Sequence, residues 1–306
     1  RAGGLEERDI RDDYLEHVLA FAGPIRPMRV VVDTANGMGG LMLPRILERL
    51  PITATRLFFE LDGTFPNHEA DPLKVKNLGA LIAKVRESGA ELGVALDGDA
   101  DRSIFVDETA RPVGADLITA LLAPEILRKY PGAAVVYDLR SSRVVPEAIR
   151  AAGGRPIRER VGHSFIKATM RREHGKFGGE LSGHFYFADN YHSDSAEIAL
   201  LLVLSLLSAR GTSLGALLAP LQRTWRSGEL NFRVDSTAAK IRELARTFAD
   251  AEIDYLDGIT LEYPDWWCNV RPSNTEPLLR LNLEAENAPV FETARARILA
   301  LLGEPV

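Results

Sequence analysis

The chain has 306 residues, of which 46% are hydrophobic and 26% charged, with a formal net charge of −6. This composition excludes a disordered chain, and the scattered Lys and Arg argue against a nucleic-acid binder, whose mark is a basic face. The only cysteine is Cys268, which excludes a disulfide framework or a cysteine-based zinc site within one chain.

The opening, RAGGLEERDIRDDYLEHVLAF, starts on arginine and reads as a charged helix between domains, with a further segment expected before it. RVVVDTANGMGG is a β-branched run followed by a glycine-rich turn, and LMLPRILERL has helical spacing. ITATRLFF reads as a strand, KNLGALIAKVRESG as an amphipathic helix and ELGVALD as a short buried strand. This alternation implies βαβ units around a mostly parallel sheet. The glycines of DTANGMGG lack the G-x-G-x-x-G spacing of a dinucleotide fingerprint and read as a turn and a helix entry.

The alternation then restarts. GADLITALLAPEILRKY, SRVVPEAIRAAG and HSFIKATMRREHG read as helices, AAVVYDL and RPIRERV as strands, and KFGGELSGHFYFAD as a hairpin. The longest apolar block, AEIALLLVLSLLSA, starts with a glutamate two residues in and is too short to span a bilayer; a buried helix is expected. No secretory signal pattern is present, so a cytoplasmic enzyme that binds neither membrane nor nucleic acid is the working class. From about Gly211 the texture changes. GELNFRVD, ITLEYPDWWCNVRPS and PLLRLNLEA look like strands, and AAKIRELARTFADA and VFETARARILALLG like helices. The expected fold is therefore α/β: two mixed α/β sheet domains of similar topology (1–111 and 112–222), then a small α+β C-terminal domain (223–306). The similar element order of the first two hints at a repeat. The three tryptophans, Trp225, Trp266 and Trp267, read as packing or interface residues.

Three stretches carry candidate chemistry. In ELGVALDGDADRSIFVDE, Asp97, Asp99 and Asp101 alternate, and in an extended segment they point to one side. Three converging carboxylates repel without a cation, and hard oxygen ligands suit Mg²⁺ or Ca²⁺. Taken alone, the stretch is equally readable as a solvated acidic turn. An EF-hand fits the spacing through Glu108, but Arg102 stands where the loop needs glycine, and the flanks are strands rather than helices. Arg102 instead offers a fixed cation for phosphoryl oxygens.

In NVRPSNTEPLLRL, Arg271 can grip a phosphate bidentately, while Ser273, Asn274 and Thr275 supply donors in a turn. The plainer alternative is a polar loop between strands. In GGELSGHF, Glu180, Ser182 and His184 alternate, with Gly179 and Gly183 allowing close approach; the set suits vicinal sugar hydroxyls, or is an ordinary hairpin turn. Arg140 lies at the C-terminal end of a predicted strand, where open α/β sheets bind ligands. His163 and Lys167 sit about one turn apart at a helix start, and a structural role for His163 is the plainer alternative.

Taken together, DGDADR, GELSGH and RPSNTEP, in this order, resemble the metal, sugar and phosphate loops of the α-D-phosphohexomutases. FPNHEADP, YDLRSS and VGHSFIK extend the resemblance over essentially the whole chain. GELSGH resembles the phosphomannomutase/phosphoglucomutase branch, which usually has methionine at the place of Leu181. The resemblance implies that Asp97, Asp99 and Asp101 bind Mg²⁺ and that Arg102 contacts the transferring phosphoryl group. It implies that Glu180, Ser182 and His184 hold sugar hydroxyls, and that Arg271, Ser273, Asn274 and Thr275 grip the non-reacting phosphate. Arg140 and His163 match positions lining the cleft.

The resemblance has one large gap. The family nucleophile is a phosphorylated serine in a TASHNP-like loop of a first domain, and no Ser-His-Asn run occurs here. The expectation is the C-terminal three-domain portion of a phosphohexomutase acting on mannose and/or glucose phosphates, inactive without its missing N-terminal domain. A non-catalytic phosphosugar-binding protein and, more remotely, a calcium module are the other readings.

Overall fold

The computed structural model describes residues 3–273 and 278–306. Helix α1 (Arg11–Leu19) leads into β1 (Arg29–Asp33), α2 (Gly39–Leu47), β2 (Thr53–Leu57), α3 (Gly79–Ser88), β3 (Leu92–Leu96) and β4 (Ser103–Val106). The β-branched run Val30, Val31 and Val32 is wholly buried, as expected of a central strand covered on both faces. It pairs in parallel with β2 and β3, while β4 folds back antiparallel on β3, giving the order β2-β1-β3-β4.

The second unit repeats this plan. It comprises α4 (Ala115–Lys129), β5 (Ala134–Asp138), α5 (Val144–Ala151), β6 (Arg155–Glu159), α6 (His163–Arg172), β7 (Phe177–Gly179), β8 (Phe185–Phe187), β9 (Ser193–Asp194), α7 (Ala196–Arg210) and α8 (Leu214–Leu218). Its sheet order is β6-β5-β7-β8-β9, again with two parallel pairings around the first strand and an antiparallel return. The repeat suggested by element order is thus present in strand order and polarity.

Helix α7 is the apolar block, and it is buried on nearly every side. The Ser195 hydroxyl caps its first turn by accepting from the Ile198 amide at 3.2 Å, and Gly211 ends it in the left-handed conformation at φ 60°. No helix among the described residues is long and apolar enough to cross a membrane. Because α4 packs against strands of both sheets and α7 packs on α1, α4 and β4, one continuous apolar cluster serves both units.

The last unit is built differently. It comprises β10 (Trp225–Arg233), α9 (Thr237–Thr247), β11 (Glu252–Asp254), β12 (Ile259–Glu262), β13 (Trp266–Pro272), β14 (Leu278–Ala285) and α10 (Ala288–Leu302), with an antiparallel sheet ordered β10-β14-β13-β12-β11. The stretch ITLEYPDWWCNVRPS is two strands, not one, because Tyr263-Pro264-Asp265 turns the chain between β12 and β13. Trp266 and Trp267 are buried, with Trp266 stacked on Tyr263 at 4.6 Å, while Trp225 is exposed. This unit has its own apolar core, and polar side chains connect it to the rest. Arg158 reaches Asp254 at 2.6 Å and also Glu262, Arg226 pairs with Asp116, and the Ser142 hydroxyl donates to Glu284 at 2.8 Å.

Candidate functional site

The acidic loop lies between β3 and β4. The three carboxylates do converge, with ligand oxygens of Asp97, Asp99 and Asp101 within 4.8 Å of one another, but not through extended backbone. Residues 97–102 form a tight loop between two antiparallel strands, with Ala100 at a positive φ of 65° and its amide bonded to the Asp97 carbonyl. Alternation in a strand was the wrong reason for the right convergence.

Asp97 anchors the loop. Its carboxylate accepts from the Asp101 and Arg102 amides at 3.2 and 3.1 Å and from Arg102 Nε at 2.5 Å. Burial nonetheless pushes its carboxyl above the ordinary range, against the pull of Arg102. Asp101 is held below that range: burial is outweighed by His184 and Arg102. Two ionised carboxylates within 4.8 Å of each other repel by at least about 3 kcal/mol at an effective dielectric of about 20. Three hard oxygen donors, from buried Asp97, half-buried Asp101 and exposed Asp99, with that repulsion between them fit a divalent cation.

Two neighbouring stretches fix this loop from outside. The glycine-rich turn after β1 lies against it: the Met38 amide donates to the Gly98 carbonyl at 2.8 Å, and a Cβ on Gly37 would sit 2.6 Å from that same oxygen. FPNHEADP packs alongside. The Asn67 amide donates to Asn36 at 2.8 Å, His68 Nε2 is 3.1 Å from buried Asp33, and Asp71 lies 3.8 Å from Arg102.

Glu180, Ser182 and His184 occupy the turn between β7 and β8, with the Gly183 amide bonded to the Glu180 carbonyl at 3.1 Å. Gly183 has φ +92°, and a Cβ there would meet the Ser103 carbonyl oxygen at 2.9 Å, so only glycine allows this contact. That contact brings the second unit onto the first. The Ser103 amide donates to the Gly183 carbonyl at 3.0 Å, and His184 Nε2 lies 3.3 Å from Asp101. Ser182 Oγ is 2.8 Å from His184 Nδ1. Burial works against a charge on His184, but Asp101, Glu180 and Asp194 outweigh it and raise its pKa. Glu180 is buried and its carboxyl is raised, by burial and then by Asp138, while the Tyr186 hydroxyl donates to it.

A third cluster joins the second unit to the last. Arg140, just past β5, is buried and donates to Asp138 at 2.7 Å through Nη2. The other oxygen system is Glu229 of β10. Its Oε2 lies 3.1 Å from Arg271 Nη2 and 3.5 Å from Arg140 Nη1, and its Oε1 lies 3.0 Å from Arg280 Nη1. Arg271 is 2% exposed, and its pKa is lowered by burial and by Arg140. The Ser273 amide donates to the Leu278 carbonyl at 2.8 Å. Asn274 and Thr275 lie outside the described residues.

Contacts therefore run unbroken from Asp101 through His184, Ser182 and Glu180 to Asp138, Arg140, Glu229 and Arg271. Leu181 supplies one link, its amide donating to Asp138 at 2.7 Å. His163 stands apart. It is exposed at the first position of α6 and has no side-chain contact with this chain of residues. Lys167 reaches Asp194 at 2.8 Å.

Residues 12–111, 115–224 and 229–301 match, in turn, phosphoglucomutase/phosphomannomutase alpha/beta/alpha domain II, alpha/beta/alpha domain III and the C-terminal domain. The chain belongs to this family. It is 41% identical over 295 residues to phosphohexose mutases of Xanthomonas campestris, covering 94% of this chain and 66% of that protein. It is 41% identical over 276 residues to a phosphomannomutase of Methanocaldococcus jannaschii, covering 90% of this chain and 62% of that protein. The crystal structure of a phosphoglucomutase/phosphomannomutase family protein from Burkholderia thailandensis superposes with a TM-score of 0.89 at 34% identity, over 98% of this chain and 66% of that one. The chain thus spans about two thirds of the length of the relatives it matches.

Each matched domain of this phosphoglucomutase/phosphomannomutase family member contributes one loop: Asp97–Arg102 from domain II, Glu180–His184 from domain III and Arg271 from the C-terminal domain. Sequence reading missed Asp71, Asp138 and Glu229. Asp138 had a signal, since it ends a buried strand beside Arg140. Glu229 had none, because its three arginine partners come from positions 140, 271 and 280.

Proposed function

We propose that this chain forms the metal-, sugar- and phosphate-binding part of a phosphohexomutase that interconverts hexose 1-phosphate and hexose 6-phosphate, of mannose and/or glucose. The observation that supports this reading is the unbroken run of contacts from the Asp101 loop through the Glu180–His184 turn to Arg271, which connects three converging carboxylates, a Glu-Ser-His set and a buried guanidinium.

In this reading Asp97, Asp99 and Asp101 hold Mg²⁺, which neutralises charge on the transferring phosphoryl group. Arg102, braced by Asp97 and Asp71, meets phosphoryl oxygens with its guanidinium. Glu180, Ser182 and His184 orient the sugar through its hydroxyls. Arg271 and Ser273, with Asn274 and Thr275, grip the phosphate at the far end, and Arg140 lies beside it. His163 is assigned to the cleft by the resemblance alone. The phosphoryl donor is a phosphoserine from a domain outside this sequence. It phosphorylates the free hydroxyl of the hexose phosphate, the bisphosphate turns over in the cleft, and the other phosphate returns to the serine.

Titration calorimetry with glucose 1-phosphate tests the binding part: heat that is lost in Arg271→Ala and in Ser182→Ala is expected. A coupled assay tests the rest, with no turnover expected from the chain alone. Robust conversion of mannose 6-phosphate by the chain alone would overturn the assignment of the serine to another domain. Binding without turnover when that domain is supplied would favour a phosphosugar-binding protein.

A further inference from the structure

Glu229 is the one acidic side chain among the described residues that touches Arg140, Arg271 and Arg280 together. These cations come from two domains: Arg140 follows β5, while Arg271 and Arg280 lie on paired strands β13 and β14. Asp138 also pairs with Arg140, so Glu229 is the carboxylate that links Arg140 to Arg271 between the two domains. The hydrogen bonding of Arg271 leaves an acceptor to be supplied. Arg271 is 2% exposed, and its Nε is buried without a hydrogen-bond partner among the described residues. A buried guanidinium left partly unsatisfied is costly unless a second anion completes it.

We propose that Glu229 is a positioning residue: a built-in counter-anion that keeps the arginines of two domains assembled while the phosphate site is empty, so that an arriving phosphate meets Arg140 and Arg271 already in place. The inference rests on the phosphate-binding role proposed above for Arg271, but not on the identity of the sugar. Without the Glu229 charge, like charges drive Arg140 and Arg271 apart, and a free phosphate ion is needed to bring them together again. With it, phosphate finds both guanidiniums in place and supplies an acceptor for Arg271 Nε. The effect on a sugar phosphate then falls on binding: KM rises, whereas kcat, read on the assembled complex, changes little.

The test compares Glu229→Gln with Glu262→Gln, using inorganic phosphate as the probe and thermal unfolding as the readout. Glu262 bridges the same two domains by pairing with Arg158, away from Arg271. Both substitutions are expected to lower Tm in phosphate-free buffer, by about 2–4 °C. Added phosphate is expected to recover most of the loss in Glu229→Gln and none of it in Glu262→Gln, with wild type shifting less than Glu229→Gln. Equal phosphate responses in all three proteins would overturn the proposal, as would a Glu229→Gln protein as stable as wild type without phosphate. Repeating the titration with glucose 1-phosphate separates the two readings. If phosphate rescues Glu229→Gln while glucose 1-phosphate binds no protein, the counter-anion stands and the phosphohexomutase reading falls.

Discussion

His184 Nε2 lies 3.3 Å from Asp101 Oδ1, so one side chain of the Glu180–His184 turn leans on the acidic loop of the neighbouring domain. A divalent cation bound at this loop as proposed would compete with the imidazolium for the same carboxylate. Mg²⁺ binding is therefore expected to release protons and to weaken as pH falls. Calorimetry in two buffers of different ionisation enthalpy would read the released protons directly. Asp101→Asn is expected to lower Mg²⁺ affinity by more than about tenfold, because it removes a ligand and not merely a supporting group. Unchanged affinity in that variant would remove Asp101 from the metal site.

The same contact sets a pH dependence in metal-free buffer. The His184 pKa is raised above 6.5, since Asp101, Glu180 and Asp194 outweigh burial. A raised histidine stabilises the fold in full below its unfolded pKa, and that contribution is lost as pH rises through the folded value. The Tm gap between wild type and His184→Gln should thus be widest at acidic pH and narrow as pH climbs above about 6.5. A gap that stays constant across that window would mean that the imidazole acts as a neutral spacer.

Tyr186 and Glu180 make a separate prediction. Glu180 is buried, and the Tyr186 hydroxyl donates to it. Tyr186→Phe keeps the ring, which stacks on His184 at 6.1 Å, but removes that donor. Leaving a buried acceptor without its partner costs about 1–3 kcal/mol. Denaturant unfolding should show that loss with little change in slope, and sugar-phosphate affinity should fall with it, because the carboxylate loses its orientation.

The fold was legible in the sequence where one residue's environment decides its pattern. Val30–Val32 are buried on all sides and the α7 block on nearly every side, and they read as such without any partner being known. The loops were legible through residue types at short spacing, as in Asp97, Asp99 and Asp101. The alternation argument failed in its detail because a left-handed residue, Ala100, turns the chain inside the motif, and alanine gives no warning of that. Glu229 was invisible for a different reason: its role is defined only by cations 42, 51 and 89 residues away in the chain. Charge pairing at that range needs the tertiary fold before it has any pattern.

The last domain should separate from the others on its own terms. Its apolar core is separate, while the first two domains share one cluster, and its attachment includes Arg158 to Asp254 at 2.6 Å and to Glu262. These pairs are partly exposed, so each contributes about 1 kcal/mol or less and is screened by salt. All three tryptophans, Trp225, Trp266 and Trp267, belong to this domain, so tryptophan fluorescence, excited beyond the tyrosine band, reports on it alone. Arg158→Ala, or wild type at high ionic strength, is expected to move the fluorescence transition below the transition seen by circular dichroism, which samples every helix. Coincident transitions under both conditions would mean that the domain is held by more than its polar contacts. In that case the buried Ser142–Glu284 hydrogen bond, out of reach of salt, is the next contact to remove.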